Sequence, residues 1–238
     1  MNRLRWTGGG FVPCPGQGDV RIIDSWLVTD GKARAVDAHL RRFAMACAAQ
    51  QTVLCAAQHA VPAGRFACAA VARIPAAGRW FPRLELAVAD GRPWLQLWLR
   101  PAPASRSAIR LWLPPEPDQR VRPRVKGPDL RYLAGLRDAA VQAGADEAVL
   151  VSAQGYVLEG GTTSLLWWRG ETLCGPPPDA AVLPSVTRAV LLDLAARRGI
   201  PVRFEYVSPE ELATLPIWAV NALHGVRTGT LVSHRGED

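Results

Sequence analysis

The sequence predicts an α+β chain of two lobes, and three observations lead there. Strand-like and helix-like patterns mix without the regular strand–helix–strand alternation of a parallel sheet. No internal repeat is visible. A proline-rich run, Pro114–Arg124, interrupts the pattern near its middle. We therefore expect a small N-terminal α+β domain over 1–113, a link over 114–125 and a larger C-terminal α/β domain over 126–238. The 238 residues, 49% hydrophobic and 21% charged, are enough to bury a sizeable core.

In chain order, residues 18–29 read as a strand ending in the Asp30-Gly31 turn. Val36 to about Gln50 reads as a helix with Leu40, Phe43, Ala44 and Cys47 on one face. The Ala-rich stretch 53–80 reads as a second helix and connection, broken by Pro62, Gly64 and Pro75. Residues 84–89 and 93–99 read as strands joined at Asp90-Gly91, a strong hairpin signal. Another strand is expected at 108–113. Residues 127–143 read as a helix, with Pro128 in its first turn and Gly144 as its stop. Hairpins are expected around 153–155, joining 148–152 to 156–159, and around Arg169-Gly170, joining 163–168 to 172–174. A helix over 186–198 follows Pro184-Ser185 and stops at Gly199. Ser208-Pro209-Glu210-Glu211 reads as a capping box, and 217–221 and 228–232 as late strands.

Composition excludes several classes. No apolar run is long enough to span a bilayer and the first 13 residues lack a signal-peptide core, so a soluble cytoplasmic protein is expected. Cys14, Cys47, Cys55, Cys68 and Cys174 are scattered, which suits reduced, mostly buried thiols. His39, His59, His224 and His234 have no ligand spacing, so no metal is expected. The net charge of +7 is spread along the chain without a basic run or interleaved aromatic residues, which argues against nucleic acid. Of 28 basic residues only Lys32 and Lys126 are lysine. Arginine stays protonated, whereas a desolvated lysine can act as an amine nucleophile. Lys32 follows a turn and reads as solvated. Lys126 is the candidate.

Four features could carry chemistry, each with a plainer alternative. Lys126, after the proline-rich run, is either a nucleophilic amine or a solvated lysine. Glu159, before Gly160-Gly161, is either a carboxylate aimed at a ligand or an ordinary polar residue at a strand end. Ser185-Val186-Thr187 opens a helix, where unpaired amides favour a phosphate, as they do at any helix start. Arg42, beside His39 and Arg41, is either a phosphate partner or part of a solvated helix face.

Taken together, His39-Leu40-Arg41-Arg42-Phe43, Lys126, Asp146-Glu147-Ala148, Gly155 to Glu159 and Leu183-Pro184-Ser185-Val186-Thr187-Arg188 resemble fold-type IV pyridoxal-phosphate enzymes, the aminotransferase class IV family. The resemblance covers most of 22–230. It implies a D-amino acid aminotransferase-like fold and pyridoxal 5′-phosphate as cofactor. It implies that Lys126 is the Schiff-base lysine, Arg42 the phosphate arginine, Glu159 the partner of the pyridine nitrogen, and Val186 and Thr187 the phosphate-binding amides. It further implies a homodimer with the active site between the lobes, near the subunit interface. Three positions depart from the family pattern. Ser164 stands where Asn is usual, and Ser185 stands in the place of the turn glycine. Lys126 is followed by Gly127-Pro128-Asp129-Leu130, which removes a familiar tyrosine position and leaves open whether Tyr132 replaces it.

Class IV chemistries diverge after a shared proton abstraction. Chain length and the loop Asn221-Ala222-Leu223-His224 resemble lyase-like members, which split 4-amino-4-deoxychorismate into 4-aminobenzoate and pyruvate in the folate branch. In the family this loop borders the phosphate and the substrate carboxylate, so Ala222 would act through its backbone, and Leu223 and His224 would line the substrate. Transamination of a branched-chain or D-amino acid is the alternative. A non-catalytic, degenerate family member or a basic binding protein is the reading from another class.

Overall fold

The computed structural model describes residues 2–14, 18–53 and 63–232; Cys55, His59, Pro62 and His234 lie outside them. The chain divides into two compact units, Met1–Ala104 with Val125–Pro128, and Ser105–Arg124 with Asp129–Asp238.

The first unit contains β1 (Asn2–Trp6), β2 (Phe11–Pro13), β3 (Asp19–Ser25), β4 (Val28–Thr29), β5 (Lys32–Ala33), α1 (Val36–Val53), α2 (Ala63–Val71), β6 (Arg79–Trp80), β7 (Arg83–Ala89) and β8 (Arg92–Leu99). Its main sheet is antiparallel in the order β2-β1-β8-β7-β3. The β7–β8 hairpin turns on Asp90 and Gly91 at φ 51° and 69°, as the tight two-residue turn requires. Strand alternation sends Leu84, Leu86, Leu95 and Leu97 into the interior and Glu85 and Gln96 to the opposite face, where the Gln96 amide donates to the buried Glu85 carboxylate. On α1 the buried residues His39, Phe43, Cys47 and Gln50 recur at helical spacing, and Phe43 meets Phe66 of α2 at 5.9 Å. Lys32 is exposed on β5.

Residues 125–128 return to this unit. The Ile23 amide in β3 donates to the Lys126 carbonyl at 2.7 Å. Gly127 has φ +148°, and a Cβ there would stand 2.3 Å from the Arg21 carbonyl oxygen. Only glycine lets the chain lie this close to β3.

The second unit contains β9 (Ala108–Trp112), α3 (Leu130–Gln142), β10 (Glu147–Val151), β11 (Val157–Gly160), β12 (Ser164–Arg169), β13 (Thr172–Gly175), α4 (Val186–Arg197), β14 (Val202–Phe204), α5 (Pro209–Leu212), β15 (Ile217–Asn221) and β16 (Gly225–Leu231). They include one mixed eight-stranded sheet, ordered β11-β10-β9-β16-β15-β12-β13-β14. Ile109, Leu111, Val149, Leu165, Trp167 and Ile217 belong to one buried cluster of this unit. Leu133 and Leu136 of α3 pack on Leu150 and Leu158, and Leu191 and Leu192 of α4 pack on Leu166 and Val220. Among the described residues no helix is long and apolar enough to cross a membrane.

Four expectations change. The proline-rich run is not a free link, because its donors are spent on the second unit. The Asp118 amide reaches the Val151 carbonyl at 2.8 Å, and Arg124 reaches the carbonyls of Pro178, Asp179 and Ala180. Strand β9, expected in the first domain, pairs in parallel with β10 and β16 of the second unit. The helix expected from Gly127 begins at Leu130, since positive φ at Gly127 is not helical. Strands β1, β2 and β14, absent from the sequence reading, are short edge or near-edge elements.

Candidate functional site

In the first unit, Arg42 and the backbone of Lys126 are both held by β3. Asp24 follows Ile23, the residue that bonds Lys126, and its side chain is fully buried. Arg42 donates from Nε to Asp24 Oδ2 and from Nη2 to Oδ1, both at 2.8 Å. His39 Nδ1 lies 2.8 Å from the same Oδ1, which also accepts the Ser25 amide at 2.8 Å. Burial alone would raise the Asp24 carboxyl pKa. The His39 hydrogen bond and then the charge and hydrogen bonds of Arg42 outweigh it and hold the group below its ordinary value. The His39–Arg42 pair on α1 is thus one device around Asp24, a residue the sequence reading did not select. Its signal was a charged residue inside the apolar strand Ile22-Ile23-Asp24.

In the second unit, Glu159 sits on β11 opposite Leu150 of β10. Its Oε1 accepts Arg120 Nη1 at 2.7 Å and the Leu183 amide at 2.8 Å. Arg120 also forks onto Asp118, and all three side chains are buried. Burial alone would lower the Arg120 pKa, but the hydrogen bonds and charges of Asp118 and Glu159 outweigh it and hold it above its ordinary value. Arg120 was also missed, because nothing in a proline-rich run marks a residue as the partner of one 39 positions on.

The Leu183 bond carries the chain from Glu159 to α4. There Ser185 caps the helix, its Oγ accepting the Arg188 amide at 3.2 Å. Ser185 has φ −74°, ordinary for any residue, so serine in place of the turn glycine costs no strain. The Val186 and Thr187 amides are first-turn donors without an acceptor among the described residues.

Ser164 is buried at the start of β12, opposite Val220 of β15. The preceding turn is organised by Glu147. Its carboxylate accepts the Thr162 amide at 2.6 Å and the Thr162 and Thr163 hydroxyls at 2.8 and 2.9 Å. A Cβ on Gly160 would stand 2.5 Å from that carboxylate, so the turn closes only over glycine. In the late loop, Asn221 Oδ1 accepts the amides of Leu223 and His224 at 3.1 and 2.9 Å, which ties the loop around Ala222 to its own strand end. The His224 ring accepts the Arg106 amide at 3.3 Å. Tyr132 Oη accepts the Gln119 amide at 3.2 Å.

This donor set fits a phosphate-bearing pyridine. Within the second unit alone, a buried carboxylate for a ring nitrogen and unspent helix amides for a phosphate are joined through Leu183. The fold and the donors of the second unit suit a phosphate-bearing cofactor.

The comparisons agree. The sequence pattern of the family described as amino-transferase class IV matches residues 21–232, and the chain belongs to that family. Pyridoxal 5′-phosphate is the cofactor of the family. A hypothetical aminotransferase from Mycobacterium tuberculosis in its PLP-bound form is 20% identical, with 99% of this chain and 92% of that chain covered at TM-score 0.74. The branched-chain aminotransferase of Thermoproteus uzoniensis is 16% identical, covering 100% and 91% at TM-score 0.83. A putative 4-amino-4-deoxychorismate lyase from Legionella pneumophila is 16% identical, covering 92% and 85% at TM-score 0.76. At these identities the likeness establishes the fold. A search of curated proteins finds no match.

Proposed function

We propose that the chain is a pyridoxal-phosphate-dependent lyase converting 4-amino-4-deoxychorismate to 4-aminobenzoate and pyruvate in the folate branch. The observation that carries the lyase reading is the late loop. Its Asn221-Ala222-Leu223-His224 sequence is lyase-like, and its asparagine has a physical task, since Oδ1 holds the amides of Leu223 and His224. When bound, the cofactor supplies an electron sink for the substrate amine's α-carbon. Lys126 would hold the cofactor through its Nζ, and the same amine would move the α-proton. Glu159 would hold the pyridine nitrogen, with Ser164 opening the next strand along the chain. Arg42 and the Val186 and Thr187 amides would hold the phosphate, with the Ala222 backbone beside it. Leu223 and His224 line the substrate side. The family resemblance supports a homodimer and a cytoplasmic setting.

Transamination is the second reading, favoured by the branched-chain aminotransferase of T. uzoniensis, which matches this chain along its whole length. The test is a paired assay on PLP-loaded protein. Fluorescent 4-aminobenzoate formed from aminodeoxychorismate supports the lyase. Keto-acid formation from branched-chain or D-amino acids without 4-aminobenzoate replaces it with the transaminase.

A further inference from the structure

We propose that Glu147 is a positioning residue for substrate recognition: its carboxylate seats the turn over 160–163, and the seated turn holds Asn221 and the late loop that Asn221 organises. That this loop lines the substrate rests on the function proposed above.

Three observations carry it. First, one buried carboxylate collects the donors of the turn. Glu147 Oε1 accepts the Thr162 amide at 2.6 Å and the Thr163 hydroxyl at 2.9 Å, and Oε2 accepts the Thr162 hydroxyl at 2.8 Å. The next residue of β10, Ala148, accepts the Gly161 amide on its carbonyl at 3.0 Å. Hydrogen bonds to an ionised acceptor are short and strong, so this set fixes the turn in one geometry.

Second, the turn adjoins the late loop. Strands β12 and β15 pair with Ser164 opposite Val220, which brings the end of the turn beside Asn221. Asn221 Nδ2 donates to the Thr162 carbonyl at 3.5 Å, while its Oδ1 accepts the Leu223 and His224 amides at 3.1 and 2.9 Å. Thr162 is therefore the shared link, bonded to Glu147 through its amide and hydroxyl and to Asn221 through its carbonyl. Third, the carboxylate faces the turn more closely than it faces its counter-charge. Arg227 Nη2 of β16 stands 3.7 Å from Oε2, beyond hydrogen-bond distance, although both side chains are buried. A group that served only to balance Arg227 would turn its oxygens to the guanidinium.

Two variants separate these roles. Glu147→Gln keeps the size and removes the charge. Glu147→Asp keeps the charge for Arg227 but draws the carboxylate back from both threonines by one methylene. Circular dichroism shows whether each is folded. Hydrogen exchange on the full chain without cofactor is read by peptide mass, at times short enough that residues 165–167 of β12 stay protected. In both variants the amides of 222–224 should exchange about fivefold faster or more than in the wild type. On PLP-loaded protein the KM for 4-amino-4-deoxychorismate should rise about fivefold with kcat within about twofold, because the loop binds substrate and takes no part in the proton transfer.

Wild-type exchange at 222–224 in a folded variant overturns the proposal, as does faster exchange with an unchanged KM. Restoration of both readouts by Glu147→Asp also overturns it, since charge balance would then be the whole role. Where Glu147→Gln does not fold, Glu147→Asp decides alone. A wild type that forms no 4-aminobenzoate overturns the lyase reading instead, and the exchange comparison, made without cofactor or substrate, still decides whether Glu147 holds the loop.

Discussion

Replacing Arg120 by methionine tests how the Glu159 site is held. The Arg120, Asp118 and Glu159 side chains are 5%, 6% and 5% exposed, so the guanidinium between the two carboxylates has almost no access to water. Methionine keeps most of the apolar stem and removes the charge that the two buried carboxylates share. Breaking a buried ion pair from one side costs about 3–5 kcal/mol, because the abandoned charge is neither solvated nor paired. For a chain of this size each kcal/mol moves the thermal midpoint by about 2–4 °C, so a drop of roughly 10 °C is expected. An internal control is available in Arg197 and Asp193, an i,i+4 pair on α4 whose side chains are 74% and 58% exposed. Arg197→Met should cost about 0.5 kcal/mol or less. Urea unfolding followed by tryptophan fluorescence compares the two variants directly. Equal losses, or a loss under about 1 kcal/mol for Arg120→Met, would refute the view that this triad is a buried support for Glu159.

Gly127→Ala should cost at least about 2 kcal/mol and weaken cofactor attachment, because φ +148° is strained for alanine and its Cβ would stand 2.3 Å from the Arg21 carbonyl. Thermal melts and the yield of cofactor-linked protein read both effects. Asp24 is held below its ordinary carboxyl value, so its stabilising contribution is complete above the unfolded-chain pKa of about 3.9 and is lost as pH falls through the lower folded value. Urea midpoints from pH 6 to pH 3 should fall more steeply below about pH 4 in the wild type than in Asp24→Asn. Burial pushes the Cys47 thiol up to about 12, whereas Cys68 is exposed. Alkylation read by peptide mass should therefore label Cys68 in the native protein and Cys47 only after unfolding.

What was legible in the sequence was local. Asp90-Gly91 announces its hairpin, because few residue pairs accept the required dihedrals. Ser208 caps α5 by accepting the Glu211 amide, and β15 spans Ile217–Asn221 as its apolar run suggests. Motif order was enough to name the family. What was not legible depends on distant partners. The start of α3 was misplaced because Pro128 looks like a first-turn proline, while close packing of Gly127 on β3 is a tertiary fact. Strand β9 was assigned to the wrong side of the proline-rich run because its partners, β10 and β16, come later in the chain. Arg120 and Asp24 gave weak signals for the same reason. A buried charge declares itself through its counter-charge, and sequence does not display that pairing.

The central claim is that Lys126 holds pyridoxal phosphate. The direct measurement is the visible spectrum of the purified protein with added cofactor, wild type beside Lys126→Ala, followed by borohydride reduction and peptide mapping. The account predicts a visible band in the wild type that is absent from the variant, and reduced cofactor carried on the peptide containing Lys126. No band in the wild type, or reduced cofactor on another residue, would contradict it.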